Sequence, residues 1–269
     1  MPLFVEPASW EVPRAWTANG CFETMRAYGG RIFRVEAHLD RLYGSAQFLG
    51  TQAPADRRRL GRQLTQALQR SGLKEAVVRV ALMPRRGEAA RPSIVVQPAS
   101  PVPASVYRRG IRIAVVPTRK FSVGAISPQA KYSARLGSVL AIQDAQLRGV
   151  EEALFMDAIG SVTESTASNF GIVSRGVIQT PPCWLGLLAG ITRDVLVELA
   201  QALRLPLEEI PLTRHDLYNA DEAFLTSTLK EVLAVTWIDG RKIASGRPGP
   251  ITQRLRRAFR HLVQRERHP

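Results

Sequence analysis

The chain has 269 residues, 45% of them hydrophobic and 22% charged, with two cysteines, four histidines and a formal net charge of +14. That length and balance exclude a disordered chain, a collagen-like fibre and a coiled coil, and the cysteine and histidine counts support neither a disulfide framework nor a closed zinc set. No apolar run approaches the roughly 20 residues that span a bilayer, and the opening Met1-Pro-Leu-Phe-Val-Glu-Pro7 has no targeting pattern, so a soluble, cytoplasmic protein with no membrane partner is expected.

In chain order, Gly20–Arg26 reads as a strand, Gly29-Gly30 as a hairpin turn and Arg31–Val35 as its return strand. From Glu36, Leu39, Leu42, Tyr43 and Ala46 follow helical spacing, and a second helix runs from about Asp56 to Ser71, ended by Gly72. Val77–Met83 and Ser93–Gln97 are strands around a basic loop, and residues 98–106, with three prolines, read as the edge of a linker. Beyond it lie a strand at Ile111–Val116, a Ser/Pro/Gly loop to Lys131 and a helical stripe of Leu136, Val139, Leu140 and Leu147. A hairpin follows (Ala153–Asp157, turn at Ile159-Gly160, Val162–Thr166), then a strand at Asn169–Val173 and a helix opened by Gly190 with Val195, Leu196 and Leu199 inward. Ala223–Thr228 is a strand ending in hydroxyls, Asp239-Gly240 a two-residue hairpin turn, and Thr252–Gln264 the closing helix. The pattern predicts an α/β (α+β) protein of two sheet-rich halves meeting near residue 110.

Of 37 basic residues 32 are arginine and only five are lysine, so each lysine invites the question why arginine does not serve. The arginines are scattered, with no aromatic-interleaved segment, zinc knuckle or basic helix leading into heptads, so a nucleic-acid-binding module is the remote alternative and no such partner is expected. Lys131 ends a Pro/Gly loop just before a helix; lysine forms a Schiff base where the permanently protonated guanidinium does not, although an ordinary exposed lysine reads the same way. Alternation puts Val162, Glu164 and Thr166 on one strand face, and Glu164 there calls for a cation or a protonated heterocyclic nitrogen. Gly190-Ile-Thr-Arg193 opens a helix whose amides suit a phosphate, with Thr192 as a plain cap the bland alternative. Thr226-Ser227-Thr228 adds hydroxyl donors, and Arg41 offers a bidentate grip on an anion.

The order Phe22-Glu-Thr-Met-Arg26, His38-Leu-Asp-Arg-Leu42, Lys131, Glu164 with Ser168-Asn169-Phe170, Gly190-Ile-Thr-Arg193 and Thr226-Ser-Thr-Leu-Lys-Glu-Val232 resembles the class IV (fold type IV) pyridoxal-phosphate enzymes. That family includes branched-chain and D-amino-acid aminotransferases and 4-amino-4-deoxychorismate lyase, and the likeness runs from about residue 19 to 260. It implies a smaller N-terminal α/β domain (1–108), a linker and start of the second domain (109–122) and a larger, sheet-rich, cofactor-binding domain (123–269). It implies pyridoxal 5'-phosphate held by Lys131 as an internal aldimine, with Glu164 pairing its ring nitrogen and Leu188 packing on its face. Arg41, the helix-N-terminal donors of Ile191 and Thr192, Ser227 and Thr228 would then hold the phosphate, while Arg91, in Arg86-Gly-Glu-Ala-Ala-Arg91, and Arg26 would meet the substrate carboxylate. The reaction implied is transamination between an amino acid, of branched-chain or D type, and a 2-oxo acid in a homodimer, with the lyase as alternative. Thr17, Leu136 and Ala189 depart from the branched-chain pattern, and Cys21 is expected to serve packing alone.

Overall fold

A computed structural model describes residues 20–85, 87–119, 127, 129–133 and 136–267. Of these, the residues within Pro101–Gln129 and Leu136–Leu262 form one compact unit, and those up to Ser100, within Ala130–Arg135 and from Val263 onward form a second.

The smaller unit is an antiparallel sheet in the order β2-β1-β3-β4, made of β1 (Cys21–Tyr28), β2 (Arg31–Ile32), β3 (Ala76–Leu82) and β4 (Pro92–Pro98). Gly29 and Gly30 turn the first hairpin with φ of 59° and 83°, the left-handed pair that this tight turn requires. The expected return strand to Val35 is shorter than the sequence suggests. Arg34 adopts a left-handed φ of 52° at the start of α1 (Val35–Phe48), because Val35 joins the helical stripe that packs on the sheet. Helix α2 (Arg57–Ser71) begins at Asp56, whose carboxylate accepts the Arg59 N–H at 2.7 Å, and ends at left-handed Gly72. Its Leu60, Leu64 and Leu68 are buried along one face and the other face is mostly Arg and Gln, so each leucine contributes about 1.5–3 kcal/mol of burial.

Cys21, Glu23, Met25 and Ala27, the alternate residues of β1, are all fully buried. Glu23 therefore occupies a position on the covered face where alternation calls for an apolar side chain.

The larger unit is built on a nine-stranded sheet. Its strands are β5 (Ile111–Arg119), β6 (Glu152–Met156), β7 (Val162–Ser165), β8 (Asn169–Ser174), β9 (Val177–Thr180), β10 (Leu207–Glu209), β11 (Glu222–Ser227), β12 (Glu231–Ile238) and β13 (Arg241–Lys242). The order is β10-β9-β8-β11-β12-β5-β6-β7 with β13 on β12, and a further β7–β8 pairing, Glu164 opposite Asn169, closes β8-β11-β12-β5-β6-β7 into a ring. Ile113, Val115, Leu154, Phe170, Leu225 and Val235 belong to its core.

Among the described residues the α-helices that follow in the chain are α3 (Ala104–Arg109), α4 (Leu136–Leu147), α5 (Ile191–Ala202), α6 (Arg214–Tyr218) and α7 (Pro250–Arg267), the last of which passes at Val263 into the residues counted with the smaller unit. Helix α3 stands where the prolines suggested only a linker edge; Pro103 supplies its first backbone acceptor, and Val106 and Tyr107 anchor it in the core. The stripe on α4 is helical but turned outward. Leu136, Val139, Leu140 and Leu147 are exposed, while Ala141 and Ala145 are buried because only small side chains fit that close approach. In α5, Val195, Leu196 and Leu199 are buried as the spacing predicts.

Candidate active site

In the smaller unit Lys131 is held by its backbone. Its N–H donates to Ser45 Oγ at 2.9 Å, its carbonyl accepts from Phe22 N–H at 3.0 Å, and the flanking Ser133 N–H reaches the Gly20 carbonyl at 2.8 Å. The segment thus pairs with the beginning of β1, and Lys131 Nζ stands 5.0 Å from the centroid of the Phe22 ring. Ser45 itself donates to the carbonyl of Arg41 one turn earlier in α1, at 2.8 Å, which ties the lysine to the helix that carries Arg41.

Arg41 is not a lone surface cation. Its Nε and Nη2 donate to the two oxygens of Glu23 at 2.6 and 2.9 Å, which locks the plane of the guanidinium. His38 Nδ1 lies 2.7 Å from Glu23 Oε2; since the carboxylate only accepts, Nδ1 carries the proton. Burial alone would raise the Glu23 carboxyl, but the charge and hydrogen bonds of Arg41, joined by His38, hold it well below the usual carboxylate range. Burial lowers His38 despite Glu23, and burial pushes the Cys21 thiol up to about 11, which suits an inert packing thiol.

In the larger unit Glu164 is buried on β7, and its Oε2 accepts from the Leu188 N–H at 3.0 Å and from Asn169 Nδ2 at 3.4 Å. The same Asn169 amide also donates to the Leu188 carbonyl at 2.8 Å, so Glu164, Asn169 and Leu188 form one hydrogen-bonded knot. Gly190 follows directly and is the N-cap of α5, with no side-chain cap, so Thr192 is not the cap that the bland reading made it. Intrahelical bonding begins with Asp194 N–H to the Gly190 carbonyl, and the amides of Ile191 and Thr192 accordingly have no acceptor within the helix. Arg193 turns away from this end, pairing with Glu209 at 2.6 Å.

A Cβ at position 190 would collide with Asn169 Oδ1. Gly190→Ala is therefore expected to displace Asn169 and the start of α5, costing about 1–3 kcal/mol of stability; thermal melting checks it, and an unchanged melting temperature contradicts the clash.

Ser227 closes β11, and its hydroxyl accepts the Lys230 N–H at 3.2 Å, shaping the turn that contains Thr228. This turn also holds a group the sequence reading passed over: Lys230 Nζ pairs with Glu152, whose other oxygen accepts the Thr166 hydroxyl, and burial lowers the lysine's pKa. The scarcity of lysine was the signal available for it.

The two residues expected at the substrate carboxylate are placed differently from each other. Arg26 is buried, donating to Glu75 at 3.1 Å and lying 4.9 Å from the Tyr28 centroid, whereas Arg91 is exposed just before β4. Leu136, at the first turn of α4, is exposed. Thr17, Arg86 and Arg135 lie outside the described residues. Among the described residues no group of side chains is arranged to hold a metal ion, and no helix is long and apolar enough to cross a membrane.

Residues 20–238 match the sequence pattern of the amino-transferase class IV family. The chain is 34% identical over 258 residues to the branched-chain-amino-acid aminotransferase of Pseudomonas aeruginosa, covering 91% of this chain and 84% of that one. It is 31% identical over 257 residues to the D-alanine aminotransferase of Bacillus licheniformis, covering 92% and 89%. Among solved structures it resembles the branched-chain amino acid aminotransferase from Thermobaculum terrenum in its PLP-form, at a TM-score of 0.85 and 27% identity, covering 92% of this chain and 86% of that one.

Proposed function

Because the chain belongs to the class IV aminotransferases, pyridoxal-phosphate enzymes of fold type IV, we propose that it exchanges amino groups between branched-chain L-amino acids and 2-oxo acids. The likeness to branched-chain aminotransferases along nearly the whole chain carries this reading. The D-alanine relative supports a second one, D-amino-acid transamination, together with the Arg91 loop. The relatives compared are transaminases, and nothing in them favours the lyase reading.

The residues fit a phosphorylated pyridine aldehyde. Gly190 lets α5 start against Asn169, which presents the Ile191 and Thr192 amides at the positive end of a twelve-residue helix. We assign the phosphate to these amides, Arg41, Ser227 and Thr228; the ring nitrogen to Glu164; the ring face to Leu188; and the aldehyde to Lys131. When bound, the cofactor supplies an electron sink for the carbanion formed at the substrate α-carbon. Lys131 Nζ removes the α-proton from that carbon, and the backbone bonds of Lys131 keep its stem fixed so that only the side chain swings. Glu164, oriented by Leu188 and Asn169, holds a proton on the ring nitrogen. Arg26 and Arg91 are assigned to the substrate carboxylate on the family likeness alone.

A single half-reaction tests the substrate. The holoenzyme is mixed with L-leucine or with D-alanine, without acceptor, and the loss of its lysine-bound visible band is timed. L-Leucine is expected to react at least 100-fold faster; the opposite order establishes the D-amino-acid reading instead, and persistence of the band with both rejects both. The same family likeness predicts a cytoplasmic homodimer, whose mass by light scattering is twice the 29.7 kDa of one chain.

A further inference from the structure

At the far end of β12 from Ser227 and Thr228 the larger unit has an open cleft of about 720 Å³. Since Ser227 pairs with Glu231 at one end of β12 and the cleft is lined by residues from Trp237 onward at the other, the two lie roughly 20 Å apart at about 3.3 Å per strand residue. The cleft is thus separate from the residues assigned to the cofactor.

Its walls bring together arginines that are far apart in sequence: Arg112 on β5, Arg148 after α4, Arg214 at the start of α6, and Arg241 after the β12–β13 turn. One carboxylate, Asp239, also lines it, and it is already satisfied: its oxygens accept the Val115 N–H at 2.8 Å and the Tyr218 hydroxyl at 2.7 Å. Arg112 and Arg148 are partly neutralised, Arg112 by Glu151 at 3.5 Å and Arg148 by Asp144 at 3.0 Å. Arg214 and Arg241 pair with no carboxylate among the described residues, and Arg241 lies 4.3 Å from the Tyr218 ring centroid. Arg214 and Arg241, beside two partly neutralised arginines and the single Asp239 carboxylate, leave an excess of positive charge at this space, which a multiply charged anion offsets.

The other walls are not charged. Ala114, Val115 and Val150 supply an apolar floor, and Trp237, half-buried, presents a flat aromatic surface at the same opening. Lys242 Nζ lies over the Trp237 ring, 5.6 Å from its centroid, and adds positive charge beside the indole. A cleft of this size is within the roughly 300–1,000 Å³ range of small-molecule sites. We propose that it binds a nucleoside polyphosphate, with the phosphates across the arginines and the base against Trp237. Forked arginine donors match phosphate oxygens bidentately, while the indole stacks a base without selecting its sequence.

The test is calorimetric titration of the cofactor-loaded holoenzyme with ATP, inorganic tripolyphosphate and adenosine at ~0.15 M salt, where diffuse attraction to a basic surface is largely screened. Loading the enzyme first keeps ATP from the cofactor's own phosphate site. ATP is expected to bind at one site per chain with Kd below about 100 μM, at least tenfold tighter than adenosine and severalfold tighter than tripolyphosphate. The double variant R214Q/R241Q should lose at least tenfold in ATP affinity, while the charge-matched R58Q/R59Q on exposed α2 positions should retain it. Trp237→Leu should weaken ATP and leave tripolyphosphate unchanged. Both cleft variants should keep wild-type transamination kcat and circular dichroism, which shows that they fold. Absence of saturable ATP binding, equal losses in the two arginine pairs, or tripolyphosphate binding as tightly as ATP would each overturn the proposal, whichever amino acid the enzyme prefers.

Discussion

Lys131→Ala is expected to lower transamination by about 10⁴-fold or more, since under the proposed assignment it removes both the covalent anchor and the proton-transfer base. Lys131→Arg is expected to fall nearly as far, because a guanidinium keeps the charge but neither condenses with an aldehyde nor gives up its proton near neutrality. Both variants should fold. The bonds that seat this segment run through the backbone of residues 131–133, from Phe22, Ser45 and Gly20, and survive a change of side chain. Wild-type protein should show a visible band that borohydride fixes onto the peptide containing Lys131, and both variants should lack it. If Lys131→Arg retains even a tenth of the wild-type rate, the lysine is not the reacting amine.

Glu23→Gln is expected to have the largest effect on stability. It leaves Arg41, with 12% of its side chain exposed, beside a neutral amide on the covered face of β1. Breaking a buried ion pair by removing one charge costs about 3–5 kcal/mol, and at ~2–4 °C per kcal/mol the melting temperature should fall by roughly 6–20 °C. Cofactor affinity should fall too, because the carboxylate fixes the guanidinium plane that we assign to the phosphate. The wild-type protein should also weaken in acid. His38 is lowered by burial from its ordinary 6.5, so its contribution is complete above that value and is lost as pH falls below it toward the native pKa. Glu23 is lowered as well, from 4.5, so its contribution is complete above pH 4.5 and declines further down. Melting curves should therefore begin to shift below about pH 6.5 and shift again below 4.5. A Glu23→Gln melting point within 2 °C of wild type would show that the buried triad contributes little.

Much of the candidate site was legible because the chemistry proposed for it uses residue types at unusual positions. A lysine in an arginine-rich chain, a carboxylate in a hairpin strand and a glycine opening a helix each stand out locally, and their order gave the family. The partners of these groups were less legible. Glu23 lies inside a quoted motif, yet its role as the acceptor for both Arg41 and His38 depends on α1 folding back over β1, a contact made across 15 to 18 residues of sequence. Glu152, Thr166 and Lys230 are spread over 78 residues and show no shared pattern. Spacing likewise gave Leu136, Val139, Leu140 and Leu147 their helix without saying which face is covered, and the close packing went to Ala141 and Ala145. The pairing of Arg26 with Glu75, 49 residues away, was also invisible to local spacing.

The order of motifs along the chain carried the resemblance to the family and its cofactor, while turn residues and apolar periodicity, which act over a few neighbouring positions, marked most strands and helices but not α3, α6, β9 or β10. The tertiary structure decided which charges became partners, why position 190 excludes a side chain, and how four distant arginines come to line one cleft. Those outcomes depend on strand register and sheet order, which bring segments separated by tens of residues within hydrogen-bonding distance.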